Sequence, residues 1–151
     1  MLAKESLTTL RDLYFIASRL GDTSFSQYTF VQLTALDVLT AYPEQCEVFI
    51  RHIAPNPSAQ MPSHPLDRTA HLYFMNTAEH FALVLAPQTC EELLVPVALP
   101  YLGAGADLRL RDLSEAAHSI MLSIFSSPRC LNLAGRYIPI YVEALFSVRQ
   151  P

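Results

Sequence analysis

The sequence contains one lysine, Lys4, no tryptophan and four glycines in 151 residues. The other nine basic residues are scattered arginines and the net charge is −4. Neutralising a phosphate backbone requires clustered positive charge, so nucleic acid is not an expected partner. The same sparsity argues against an electrostatic patch for anionic lipid. No run of about 18 uncharged apolar residues occurs, so no transmembrane segment is expected; peripheral membrane association through a protein partner is compatible with this. Met1 to Leu10 lacks the basic region followed by an apolar block that a secretory signal requires. G-x-G-x-x-G, G-x-x-x-x-G-K-[ST], G-x-S-x-G and H-E-x-x-H are all missing, and four glycines can hardly build a phosphate-cradling loop. The three cysteines, Cys46, Cys90 and Cys130, are 44 and 40 residues apart with no C-x-x-C. That pattern is neither a disulfide framework nor a zinc site, and it reads as three small apolar side chains on helices.

What the chain does have is apolar material: 51% hydrophobic and 16% charged residues, with a mean hydropathy of +0.24. This suffices for one compact core and is unlike a disordered chain. The apolar spacing is helical nearly throughout. Leu7, Leu10, Tyr14 and Ala17 form one stripe, with Gly21 as a C-terminal stop. Ser26 can cap a helix carrying Phe30, Leu33, Leu36 and Leu39. Pro43 starts another with Val48, Phe49 and Ile53 on its face. Residues 55–65 hold four of the eleven prolines and read as a loop. A long helix is expected from about Asp67 to Ala86, with Phe74, Ala78, Phe81 and Leu85 inward and Met75 and Ala82 widening the face. Pro87 begins the next, where Thr89 and Glu92 have the spacing of a capping box and Pro96 and Pro100 are expected to kink or end the helix. Gly103 and Gly105 make a turn. Asp107 can cap a helix with Leu113, Ala116, Ala117, Ile120, Met121 and Ile124 inward. Pro128 opens a last helix that Pro139 bends.

The helix starts recur. Ser26, Asp67 and Asp107 are 41 and 40 residues apart, and Pro43, Pro87 and Pro128 are 44 and 41 apart. Two-helix units of about 40 to 47 residues are the HEAT/armadillo class. The expected fold is therefore an all-α, HEAT/armadillo-like α-solenoid of about seven helices, with an irregular helical bundle as the alternative. Residues 1–151 form a single repeat domain, read as a fragment of a longer protein. No sustained β-alternation competes.

Catalytic chemistry finds little support, so no cofactor is expected. Glu115 and His118 have the Glu-x-x-His spacing of di-metal carboxylate bundles. No second such pair exists, and on a helical wheel the apolar stripe of Leu113, Ala117, Ile120 and Ile124 points away from both. A helical metalloenzyme using the pair is the least favoured function. His71, on the side of Ala78 and Leu85, reads as a hydrogen-bonded, partly buried residue; Cys46 and His52 lack a third group to orient them. A protein-binding surface is the better reading, with Tyr73, Asn76 and His80 on the outward face of one long helix and Glu115 and His118 on that of the next. Stacked repeats align such faces into one ligand surface.

The segment His71 to Phe81 (HLYFMNTAEHF), with Glu91-Glu92-Leu93-Leu94, Pro100-Tyr101-Leu102 and Glu115-Ala116-Ala117-His118-Ser119, resembles the filamentous-fungal intraperoxisomal importomer peroxin, the peroxin eight family, over about residues 67–148. The resemblance implies a non-enzymatic adaptor in peroxisomal matrix-protein import, on the matrix side of the membrane. Its implied partners are the cycling import receptors and the docking and RING-finger peroxins. Members can carry targeting signals, whereas this chain ends Arg149-Gln150-Pro151 and Arg19-Leu20 is not followed by His-Leu or Gln-Leu. The other reading left open is a general α-helical scaffold for an unrelated protein partner.

Overall fold

Proline and helical periodicity together dictate the architecture of the computed structural model, in which residues 2–19, 26–56 and 61–147 are described. Helix α1 spans Leu2–Ala17, α2 Ser26–Thr40, α3 Pro43–Ile53 and α4 Pro65–Phe81. A composite helix, α5, follows: an α-turn at Pro87–Thr89, a π-helical stretch at Cys90–Leu94, α-helix at Val95–Ala98 and a 3₁₀ turn at Leu99–Tyr101. Helix α6 covers Arg111–Ser126. A 3₁₀ turn at Pro128–Cys130 then leads into α7, Leu131–Ser147. Among the described residues there is no strand, and no helix is long and apolar enough to cross a membrane. The expected stop at Gly21 lies outside the described residues, as does the middle of the Pro-rich loop, 57–60.

The hairpins α2/α3, α4/α5 and α6/α7 are the three expected units, behind one N-terminal helix. Their first helices form one row, with α4 packed on α6 and on α2, while α1 packs on both α2 and α4. The second helices, α3, α5 and α7, form the other row. Helices α3 and α5 each open on a proline and bury a cysteine as their fourth residue, and the 3₁₀ turn that leads into α7 opens on a proline and ends on a buried cysteine. Pro43-Glu44-Gln45-Cys46-Glu47 recurs as Pro87-Gln88-Thr89-Cys90-Glu91, and in shortened form as Pro128-Arg129-Cys130. All three thiols are fully buried. The Cys46 thiol donates to Leu39 O at 3.1 Å, and desolvation pushes its pKa up to about 11. Cys90 is pushed up to about 12, first by burial and then by the neighbouring Cys130. The separations that rule out a disulfide framework are thus the repeat period.

Polar bonds stitch the second row. The Glu47 carboxylate accepts from Ala86 N at 2.9 Å and from the Thr89 hydroxyl at 2.5 Å, while Arg51 lies 3.6 Å from Glu92 and donates to Thr89 Oγ1 at 3.1 Å. One unit further on, Glu91 pairs with Arg136 at 2.6 Å and accepts from the Tyr137 hydroxyl at 3.4 Å. Thr89 and Glu92 therefore serve α3 rather than capping α5, whose first turn has no side-chain cap.

Several local expectations change. Helix α2 turns Ala35, Leu36 and Leu39 inward and leaves Phe30 71% and Leu33 44% exposed. A strict i+3 series drifts: at about 100° per residue, the nine residues from Phe30 to Leu39 turn about 900°, which puts the two on opposite faces. Helix α4 begins at Pro65, capped by His64 Nδ1 accepting from Leu66 N at 3.2 Å, and ends at Phe81, although Leu85 beyond it is fully buried. Helix α5 runs through Pro96 instead of breaking. Proline lacks an N–H and its ring crowds the carbonyl four residues back; the π-helical widening before Pro96, closed by Val95 N donating to Cys90 O, supplies the room. Asp107 accepts from Arg109 N at 2.9 Å in a turn before α6 and does not cap that helix.

Candidate functional site

The two faces proposed for partner binding meet different fates. Tyr73 is only 2% exposed. Its hydroxyl donates to Leu7 O at 2.8 Å and lies 3.3 Å from Gln32 Oε1, and its ring packs edge-on against Tyr14 at 5.2 Å. Tyr73 is therefore an internal anchor that locks α1 onto α4, not part of an outward surface. Asn76 is exposed but bonded, its Nδ2 donating to the Tyr14 hydroxyl at 3.2 Å. The physical reason is that α4 has neighbours on two sides: α1 covers the face that a one-sided amphipathic helix would turn to water, while α6 covers the other. His80 remains exposed.

On α6, Glu115 is exposed and held by Arg111 at 3.1 Å, one turn earlier. His118 is half-buried under α7: its Nδ1 is 3.1 Å from the Tyr141 hydroxyl, with the rings edge-to-face at 5.4 Å. Phe125 packs on the same tyrosine at 5.5 Å. His118 is thus a packing and hydrogen-bonding residue at the α6–α7 contact. Tyr73 is internal and His118 half-buried, while Asn76, His80 and Glu115 keep the exposure expected of them. Glu115 and His118 are each committed to a partner on the protein. No group of three or more His, Cys, Asp or Glu side chains gathers among the described residues.

His71 matches its expectation of a satisfied, partly buried side chain. It sits 3.0 Å from the Tyr101 hydroxyl, edge-to-face at 5.9 Å. Burial lowers its pKa against the opposing pull of Asp67, and burial raises that of Tyr101 to about 12. The pair ties α4 to the C-terminal end of α5 as neutral groups.

Sequence reasoning missed the inter-unit bonds of Glu47, Arg51, Glu91 and Arg136. Their signal was present in the Cys-Glu pairs at 46–47 and 90–91, which share the period of the proline starts. It also missed the exposed apolar face of α7, where Ile138, Val142, Leu145 and Phe146 recur at helical spacing and are 41–63% exposed. Only Leu133 and Ala134 of that helix are buried.

A two-row array of helical hairpins, with its polar residues spent on joining one unit to the next, is the geometry of a helical repeat protein. The profile of the family described as the PEX8 central TPR-like domain matches residues 46–126, more than half of the chain. The chain belongs to that family. Peroxisomal membrane protein PEX17 of Yarrowia lipolytica (strain CLIB 122 / E 150) is 29% identical over 156 residues, covering 93% of this chain and 23% of that protein. Peroxisomal biogenesis factor 8 of Pichia angusta is 26% identical over 135 residues, covering 88% of this chain and 20% of that protein. The chain thus spans about a fifth to a quarter of the length of these relatives. No solved structure matches it. The helical-repeat class and the resemblance to the peroxin eight family stand. The unit differs from a typical TPR repeat of about 34 residues, since the cysteines that open successive second helices are 44 and 40 residues apart. In this PEX8-family chain the extra length goes into the proline-rich 54–64 connection and the 102–110 turn.

Proposed function

We propose that this chain is a non-enzymatic, protein-binding segment of a peroxin in peroxisomal matrix-protein import, and that it helps link import receptors to docking and RING-finger complexes on the matrix side of the membrane. Membership of the PEX8 central TPR-like family carries the reading, and the peroxisomal names of two relatives agree with it. The geometry supports a binding role: stacked helical hairpins present extended surfaces to partners. Among the described residues His118, His71 and Cys46 are engaged in inter-helix bonds, and Glu115 pairs with Arg111 on the exposed face of its own helix. Asn76, His80 and Glu115, all exposed, are the partner-contact candidates.

Affinity capture with the tagged chain from fungal lysate, followed by quantitative mass spectrometry, tests the reading. Enrichment of import receptors with docking and RING-finger peroxins over an untagged control is the expected result. Recovery of no peroxin under gentle conditions overturns it, and enrichment of an unrelated partner instead favours a general helical scaffold.

A further inference from the structure

Three of the nine arginines in this acidic chain line one cleft. It has a volume of about 230 Å³ and lies where the end of α1 meets the first turns of α4 and the entrance to α6. Ser18 and Arg19 come from the α1 end, Arg68, Thr69 and Leu72 from α4, and Arg109, Asp112 and Leu113 from the α6 side. The charged side chains are three cations and one carboxylate, over a floor that includes Leu72 and Leu113.

The three guanidinium groups are held differently. Arg109 is fixed by a bidentate pair with Asp107, Nε to Oδ1 at 3.1 Å and a terminal nitrogen to Oδ2 at 2.9 Å. The Arg19 guanidinium lies over the Phe15 ring, 4.1 Å from its centroid, on an exposed side chain. Arg68 is half-buried, and although its charge is felt by the Asp107 carboxylate that Arg109 holds, its guanidinium makes no hydrogen bond or ion pair among the described residues. A partly desolvated guanidinium without an acceptor is an incomplete fork, and a carboxylate completes it in bidentate geometry. The α4 and α6 N-termini, at Pro65 and Arg111, open at the same place and add positive potential. Among the described residues no long basic stripe suited to a nucleic-acid backbone adjoins the cleft, and the apolar floor favours a ligand that brings carbon as well as charge.

We propose that this cleft binds an acidic peptide segment of a protein partner, with Arg68 gripping a carboxylate and Arg19 and Arg109 flanking it. The site goes beyond the import-adaptor reading, because the purified chain alone shows whether it exists. Fluorescence anisotropy with a labelled hexaglutamate peptide at low ionic strength is the test, with labelled hexalysine as control. Saturable binding of hexaglutamate alone is expected, weakening as salt rises. Arg68→Ala lowers the affinity at least fivefold and Arg68→Lys restores part of it. Arg136→Ala, which removes a cation paired with Glu91 elsewhere, leaves it unchanged. Arg19→Ala serves as a second variant should Arg68→Ala lose its helical circular dichroism. Absence of saturable binding, equal affinity in wild type and both cleft variants, or displacement of the peptide by inorganic phosphate at matching concentrations overturns the proposal.

Discussion

Helices α4 and α7 have the same length, 17 residues, and opposite surroundings. Helix α4 is enclosed by α1, α2 and α6 and buries Tyr73, Phe74, Met75, Thr77, Ala78 and Phe81. Helix α7 rests on α6 by one side, is tied to α5 through Glu91, and leaves Ile138, Val142, Leu145 and Phe146 exposed. The exposed helix is in fact the more apolar in sequence, 11 of its 17 residues against 8 of 17 in α4, so composition alone would assign burial the wrong way round. The difference is positional: in a stacked array each helix gains from its nearest neighbours, and an inner helix has neighbours on more sides than an outer one. Surface exposure in a repeat protein is therefore a property of place in the stack.

The largest effect expected from this contrast is on the core. Phe74→Ala or Phe81→Ala, each removing a fully buried ring from α4, should cost about 3–5 kcal/mol, read by urea unfolding. Ile138→Ala on the outer face of α7, 43% exposed, should cost well under about 1 kcal/mol. Equal costs at the two sites would remove the distinction between an enclosed and a one-sided helix.

Next in size is Tyr73→Phe, which takes away the hydroxyl bonded to Leu7 O and leaves that carbonyl without it. A loss of about 1–3 kcal/mol is expected, with faster hydrogen exchange concentrated in α1. Exchange that quickens in α7 instead would mean that the hydroxyl does not hold α1.

A smaller, pH-dependent effect belongs to His71. Its folded pKa is lowered, first by burial, so below the unfolded value of about 6.5 the unfolded state takes up more protons than the folded one. Stability is then fully present above that value and falls as pH drops through it toward the folded pKa. A His71→Gln variant should lose this part of the acid sensitivity as pH falls below about 6.5. Thermal melts across that range check it, and an unchanged slope would assign the sensitivity to other groups.

The smallest effect is on the surface stitch of the outer row. Arg136→Ala breaks an ion pair in which Arg136 is largely exposed and Glu91 about one-third exposed, and should shift stability by about 0–1 kcal/mol. A double-mutant cycle with Glu91→Gln measures the coupling. A much larger value would make polar stitching, rather than apolar packing, what joins the second and third units.

Much of this was legible in the residues. On α6, Leu113, Ala116, Ala117, Ile120, Met121 and Ile124 follow the i, i+3, i+4, i+7 rhythm and all are buried, because a helix covered on one side leaves its imprint directly on the pattern. The proline starts at Pro43 and Pro87 open helices as read, since a missing N–H costs nothing in a first turn. Tyr73 was misread because a wheel drawn on one apolar stripe assumes one buried side. His118 was misread for a similar reason, its cover coming from Tyr141, 23 residues further along the chain.

The sequence by itself determined what depends on local physics. Helical periodicity, proline punctuation and the 40-to-44-residue period set the all-α repeat, since each acts within a few turns of its own backbone. Only the tertiary structure decided which faces are surface. The burial of Tyr73, the pairing of Glu47 with Thr89 and the convergence of Arg19, Arg68 and Arg109 on one cleft all join residues 40 or more positions apart. Such meetings are fixed by how one hairpin stacks on the next, a geometry that no single helix encodes.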